Sequence, residues 1–231
     1  MIFGCGFVIL VKLKQNMEIK YLGHSSFLIK SKESRLVTDP YDSFIGIKFP
    51  KIEADVVTVS HAHKDHNRPD LVLGDPLVIN LPGEFERHGI RIFGYQSFHD
   101  KKGGAERGPN ILYKIEVEGL TILHCGDLGL VPDEKFLDNI GDIDILMLPV
   151  GGVYAIDADE AVELIKKIEP SVVIPMHYLA SYLDQKRFSQ LAPVSEFLKK
   201  IGREDTAAVS KLVVKKEELG EEMKVVVMEI L

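Results

Sequence analysis

Cysteine is scarce in this chain: the 231 residues contain two, Cys5 and Cys125. Two such distant thiols build no disulfide framework, which fits a reducing compartment and leads us to expect a cytoplasmic protein. Excess positive charge is lacking too. Against 28 Lys and Arg stand 35 Asp and Glu, a formal net charge of -7. That balance argues against bulk nucleic-acid binding, which needs a basic field, while leaving room for a local basic site. No apolar run reaches bilayer length. The apolar opening from Met1 to Val11 is too short to span and lacks the basic flank of a signal peptide, so no membrane span is expected. Repeats, low-complexity tracts and dividing linkers are absent as well. With 45% hydrophobic and 27% charged residues, the composition excludes disorder, and the length suits one medium domain with a substantial core.

What is present is a strand-rich pattern with helices placed late. Short alternating or β-branched runs at 18–22, 26–30 and 36–39 predict a meander, and Asp39-Pro40 ends the third. A loop over 41–51 leads to a buried strand at 55–59. Further strands are expected at 77–81, 89–98, 111–118 and 120–124, with turns at Pro82-Gly83 and Gly119. Pro132 opens a short helix over 132–139, and 144–150 is an apolar strand ending at Gly151-Gly152. The best-marked helix follows Asp157, which with Glu160 forms a capping box. Ala161, Leu164, Ile165 and Ile168 make its apolar stripe, read as core packing. Pro170 stops it before a strand over 171–175, so strand, helix and strand predict a parallel crossover. An amphipathic helix over 194–201 and strands at 211–215 and 223–230 complete the chain.

The densest chemistry lies at the end of the 55–59 strand, where Ser60-His61-Ala62-His63-Lys64-Asp65-His66-Asn67 packs four metal-ligand side chains into six residues. Residues at i and i+2 of an extended or tightly turning segment point the same way. His61 and His63 can therefore hold one ion, while the adjacent Asp65 and His66 diverge and can serve a second. Two ions about 3.5 to 4 Å apart activate a shared water and stabilise attacking and leaving oxygens. The cluster predicts a dinuclear hydrolytic centre.

The pattern His-x-His-x-Asp-His resembles the signature of the metallo-β-lactamase superfamily. The segments Tyr21-Leu22-Gly23-His24-Ser25-Ser26, Thr38-Asp39-Pro40, Phe98-His99-Asp100, His124-Cys125-Gly126-Asp127 and Pro175-Met176-His177-Tyr178 are similar to its small single-domain branch. That branch includes ascorbate-6-phosphate lactonase-like proteins and is related to N-acylphosphatidylethanolamine phospholipase D. The resemblance begins at Met17, so residues 1–16 are expected to be a dispensable extension ahead of one hydrolase domain over 17–231. It implies an α/β (α+β) fold, a four-layer αβ/βα sandwich with the metal site at one edge between two sheets.

The resemblance also completes the site. It places His99 with His61 and His63 on the first ion, His177 with Asp65 and His66 on the second, and Asp127 between the two. Asp39 matches an early aspartate that hydrogen-bonds a ligand histidine and fixes its tautomer. Asp65 and Asp127 carry the chemistry, and His24 lines the pocket as a proton donor or substrate contact. His124 reads as a core residue, His88 as an exposed turn residue and Cys125 as a small buried one. Lys101, Lys102 and Arg107, in the glycine-rich loop after His99, are candidates to hold an anionic substrate group. Two divalent ions are expected, zinc first from the histidine-rich donors, with manganese or iron also suited. The expected activity is hydrolysis of a small ester, lactone or phosphodiester. The alternatives are a nuclease of the tRNA-processing kind and a non-catalytic metal-binding regulatory protein.

Overall fold

The structure, a computed structural model, describes residues 16–231. The expectation for residues 1–16, and Cys5 with it, lies outside the described residues except for residue 16.

Two mixed sheets form the scaffold. In the first, β12 (Leu212–Val214), β1 (Met17–Gly23), β2 (Ser26–Lys30), β3 (Arg35–Thr38), β4 (Val56–Thr58) and β5 (Leu77–Ile79) lie side by side in that order. Its β12/β1, β1/β2 and β2/β3 pairs are antiparallel, and β3/β4 and β4/β5 are parallel. The second runs β13 (Lys224–Val225), β11 (Val172–Met176), β10 (Ile145–Pro149), β9 (Leu120–His124), β8 (Pro109–Val117), β7 (Ile90–Phe98) and β6 (Gly83–Arg87). Here the three pairs from β13 to β9 are parallel and the three from β9 to β6 antiparallel.

Alternation along the strands builds the layers. Leu36 and Val56 point into the continuous core shared with Ile92, Leu112 and Leu146 of the second sheet. Their neighbours Val37 and Val57 point the other way, into a smaller cluster with Ile52, Ala54 and Val72, as the period of two requires. That outer face is covered by loop residues and one-turn helices. The second sheet carries the long helix α2 (Ala158–Ile168) against β10, flanked by α1 (Glu134–Ile140) and α4 (Val194–Lys200). The result is the expected αβ/βα sandwich.

Helix α2 forms as its sequence predicts. The Asp157 side chain accepts from the Asp159 and Glu160 amides while Glu160 reaches back to the Asp157 amide, an arrangement worth about 1 kcal/mol. Ala161, Leu164 and Ile165 are buried, and β10 and β11 on either side pair in parallel from Ile145–Val172 to Pro149–Met176. Elsewhere the structure departs from expectation. The run at 77–81 stops at Ile79, and a further strand, β6, begins at Gly83. The last strand covers Lys224–Val225 rather than 223–230, with single bridges from Met228 to Val209 and Ile230 to Tyr21 replacing a ladder. The short helix α3 (Gln185–Phe188), capped by Asp184, has too little periodicity to be read from sequence. Among the described residues no helix is long and apolar enough to cross a membrane.

Candidate metal centre

Every candidate metal ligand comes from a loop or turn at the ends of the strands. The cluster after β4 folds as a tight turn in which the His66 amide donates to the His63 carbonyl at 3.0 Å. His99 follows β7, Asp127 lies two residues past Cys125 at the end of β9, and His177 follows β11. The His177 amide donates to the His24 carbonyl at 2.9 Å, which joins the β11 end to the β1–β2 turn.

Two groups of donors result. His61, His63 and His99 offer nitrogens that all lie within 4.8 Å of one another, and so do the donor atoms of His24, Asp65, His66 and His177. In the first group the three ring centroids are 4.7 to 5.0 Å apart. The Asp127 carboxylate lies between the groups. Its Oδ2 is 3.1 Å from His99 Nε2 and 3.2 Å from His177 Nε2, and its Oδ1 is 3.3 Å from His66 Nε2.

Tautomers can be argued from the partners. Asp39 Oδ1 accepts from the Ser60 amide at 2.7 Å. Its Oδ2 takes the Ser60 hydroxyl at 2.6 Å and His66 Nδ1 at 2.8 Å. A carboxylate only accepts, so His66 carries its proton on Nδ1. Ser60, having given its proton to Asp39, accepts from His61 Nδ1 at 2.9 Å. Both rings thus turn an Nε2 lone pair inward. Those two Nε2 atoms and Asp127 Oδ1 are buried with no hydrogen-bond partner. Unsatisfied buried acceptors are costly, and three converging on one space fit a cation.

The charges point the same way. Burial works to raise the Asp127 carboxyl, but His177 and His66 outweigh it and hold the group well below the usual carboxylate range. Burial likewise works to lower His66, and the neighbouring Asp127 and Asp39 carboxylates override it, so the pocket draws positive charge, as a proton on His66 or as a cation that displaces that proton. Burial, with His66 alongside, pushes His61 down to about 3, so that ring stays neutral and available as a donor.

The floor of the centre needs glycine. Gly126 has φ +53°, and a Cβ there would lie 2.5 Å from both Asn110 Oδ1 and Ser60 Cβ. Asn110 itself fastens the loop, accepting the Asp127 amide at 3.1 Å and donating to the Cys125 carbonyl at 3.0 Å.

A cleft of about 390 Å³ opens onto the centre, lined by His63, Asp65, His99, Asp127 and His177 and by Phe44, Lys64, Arg107, Tyr154, Arg187 and Phe188. Of the three basic candidates, Arg107 lines it, its guanidinium 4.9 Å from the Tyr154 ring centroid. Lys101 instead pairs with Glu160 at 2.6 Å and Lys102 with Glu106 at 2.5 Å, and neither borders the cleft. The reason is the loop's own wiring. The Asp100 carboxylate accepts the amides of Lys102, Gly104, Glu106 and Arg107, curling the loop around itself. His124 is buried with Nε2 2.8 Å from the Ser25 carbonyl, His88 is an exposed turn residue, and Cys125 is buried. Sequence reasoning missed Ser60, Asn110 and Arg187. Ser60 adjoins the cluster and could have been suspected; the other two carry no local signal.

The family description that matches is a beta-lactamase superfamily domain, over residues 18–177, a span that holds His24, the histidine cluster, His99, Asp127 and His177. The chain belongs to the metallo-β-lactamase superfamily. A UPF0173 metal-dependent hydrolase of Nanoarchaeum equitans is 30% identical over 187 residues, 70% of this chain and 84% of that protein. One from Pelotomaculum thermopropionicum is 28% identical over 193 residues, with the same shares covered. A crystal structure from Thermotoga maritima, assigned by proposal as a Zn-dependent hydrolase of this superfamily, superposes with a TM-score of 0.76. Its identity is 38%, covering 93% of this chain and 100% of that one. With the donor clusters, these likenesses make the protein a metal-dependent hydrolase of the superfamily.

Proposed function

We propose that the protein hydrolyses a small ester, lactone or phosphodiester at a dinuclear centre. The observation that carries this reading is Asp127, whose two oxygens face His99 and His177 on one side and His66 on the other. His61, His63 and His99 would hold one ion, Asp65, His66 and His177 a second, and Asp127 would touch both. Zinc is the first choice for the histidine-rich donors, with manganese and iron compatible. When bound, such a pair supplies Lewis acidity that brings water toward deprotonation near neutral pH.

The protein groups do the rest. Asp127, buried and held as a carboxylate, orients the attacking water. Asp39 and Ser60 keep His66 and His61 turned so that the donors are preformed. The cleft of about 390 Å³ is sized for a small molecule rather than a folded nucleic acid. Arg107 and Arg187, both lining the cleft, suit an anionic substituent.

The test is hydrolysis by purified protein, reconstituted in turn with zinc and manganese, of bis-p-nitrophenyl phosphate beside a panel of lactones. Turnover of the diester alone assigns phosphodiesterase chemistry; turnover of lactones alone assigns ring opening. Asp65→Ala should abolish either while the protein stays folded by circular dichroism. Turnover that survives this change would refute the assigned chemistry.

A further inference from the structure

His24 has been cast so far as a proton donor or substrate contact. Its surroundings say otherwise. The residue is fully buried and its backbone is in the left-handed region, φ 58°, a conformation that is strained for a non-glycine residue and persists only where the surroundings enforce it. They do so here from several sides. The Tyr182 hydroxyl accepts the His24 amide at 3.0 Å, the Tyr21 hydroxyl donates to its carbonyl at 2.8 Å, and the His177 amide donates to the same carbonyl at 2.9 Å. All of this fixes the main chain and none of it satisfies the ring.

The ring reaches into the second donor group. Its Nε2 lies 3.3 Å from Asp65 Oδ2, and its centroid is 4.2 Å from that of His177 and 5.1 Å from that of His66. Two readings of the 3.3 Å distance compete. A hydrogen bond from imidazole to carboxylate is charge-assisted and settles at about 2.7 to 2.9 Å, so 3.3 Å is long for one. Two ligands bound at about 2.0 to 2.1 Å to one ion, at angles of about 90° to 120°, lie about 2.9 to 3.6 Å apart, a range that includes this distance. Nδ1 has no partner at all, so a fully buried imidazole would otherwise stand without a good hydrogen bond at either nitrogen, a costly state.

We infer that His24 is a further ligand of the second ion, joining Asp65, His66 and His177, so that the two ions are held unequally. This rests on the dinuclear reading above and extends it. The second ion is enclosed by groups among which His24, His66 and His177 are at most 1% exposed. The first, on His61, His63 and His99, includes the exposed His63; both groups border the cleft, through His63 and His99 on one side and Asp65 and His177 on the other, but the second would have one more protein ligand and so one fewer open position. More protein ligands mean tighter holding and fewer exchangeable positions, so the second ion is the tighter and the first the more exchangeable.

The experiment measures zinc per chain by mass spectrometry, with competition titrations against a chromophoric chelator, for wild type, His24→Gln and His24→Ala. Glutamine places an amide N–H near the Nε2 position, so it preserves a hydrogen bond to Asp65 but is a poor zinc ligand. The wild type should bind two ions, the tighter resisting chelator. Both variants should retain one ion, which also shows that they fold, while the affinity for the other falls on the order of 100-fold or more, beyond the 10- to 100-fold loss typical of groups behind the ligands. In cobalt-loaded protein the visible spectrum should lose one of two components. Two ions bound by His24→Gln with unchanged affinity would overturn the inference and leave the dinuclear reading standing. A wild type that binds a single ion would overturn both.

Discussion

Asp39 and His66 are 27 residues apart in sequence and 2.8 Å apart in space. The same carboxylate also takes the Ser60 hydroxyl, which in turn accepts from His61, so one buried acid orients a histidine of each donor group. Asp39→Asn keeps the size but offers an amide N–H where two donors now point. We expect zinc affinity to fall about 10- to 100-fold at both positions, the range found for groups behind metal ligands. Competition titration reads this directly. A loss confined to the His66 group would show that the Ser60 relay to His61 carries no weight.

Two arginines line the cleft, each laid over an aromatic ring: Arg107 at 4.9 Å from Tyr154 and Arg187 at 5.6 Å from Phe44. Arg187 also pairs with Asp184 at 3.5 Å, whereas Arg107 has no carboxylate partner among the described ion pairs. Stacking fixes each guanidinium plane and leaves donors for an anion. Arg107→Ala should raise KM for a phosphorylated lactone about 10-fold, the worth of one charge-assisted hydrogen bond, with kcat little changed and an uncharged lactone unaffected. Lys101→Ala and Lys102→Ala should leave both substrates alone, because those ammonium groups are engaged by Glu160 and Glu106. Steady-state kinetics on the two lactones decide it.

The difference between Arg107 and its two lysine neighbours shows where sequence reading stops. Local signals were legible: four potential ligand side chains in six residues after an apolar strand, which the structure divides into His61 and His63 on one side and Asp65 and His66 on the other, and the Asp157–Glu160 capping box. The sandwich followed from family resemblance more than from periodicity. What could not be read is whatever depends on long-range geometry. Arg187 reaches the cleft because α3, four residues long, happens to cross it, and Asn110 matters because β8 runs past the Asp127 loop. The direction of Lys101 was decided by Asp100, whose side chain gathers four amides, and a surface loop's composition does not say which way it curls.

Acid should weaken the metal-free protein partly through His124. Its Nε2 faces the Ser25 carbonyl at 2.8 Å, so that nitrogen carries the proton, and burial holds the ring below its ordinary value of 6.5. Above pH 6.5 the ring is neutral in both folded and unfolded chains and contributes no pH dependence. As pH falls below 6.5 the unfolded chain takes a proton that the folded one refuses, and stability is lost at up to about 1.4 kcal/mol per pH unit for this group. His24, held down to about 4, and His61, down to about 3, act in the same direction; His66, raised, acts against them. Urea unfolding in chelator between pH 7 and 5 should therefore show a shallower slope for His124→Gln than for wild type. Equal slopes would mean that His124 is protonated within the fold.

Gly126 and Gly119 both have positive φ, +53° and +76°, yet their surroundings differ. A Cβ at Gly119, in the turn between β8 and β9, meets nothing within 4 Å, whereas one at Gly126 falls 2.5 Å from Asn110 Oδ1 and 2.7 Å from Ser60 Oγ. Gly119→Ala should then cost only the left-handed conformation, about 1 kcal/mol. Gly126→Ala adds overpacking, typically 1 to 3 kcal/mol more, in a place that cannot yield without moving Ser60 away from Asp39 or Asn110 away from the Asp127 amide. Stability measured by urea denaturation should separate the two variants by that margin. Zinc affinity should separate them further, since the Gly126 change displaces groups that orient His61 and carry Asp127 while the Gly119 change touches neither. Equal effects of the two alanines on metal binding would show that the loop after β9 repacks freely, and that the close approach of Gly126 to Ser60 does not set the position of Asp127.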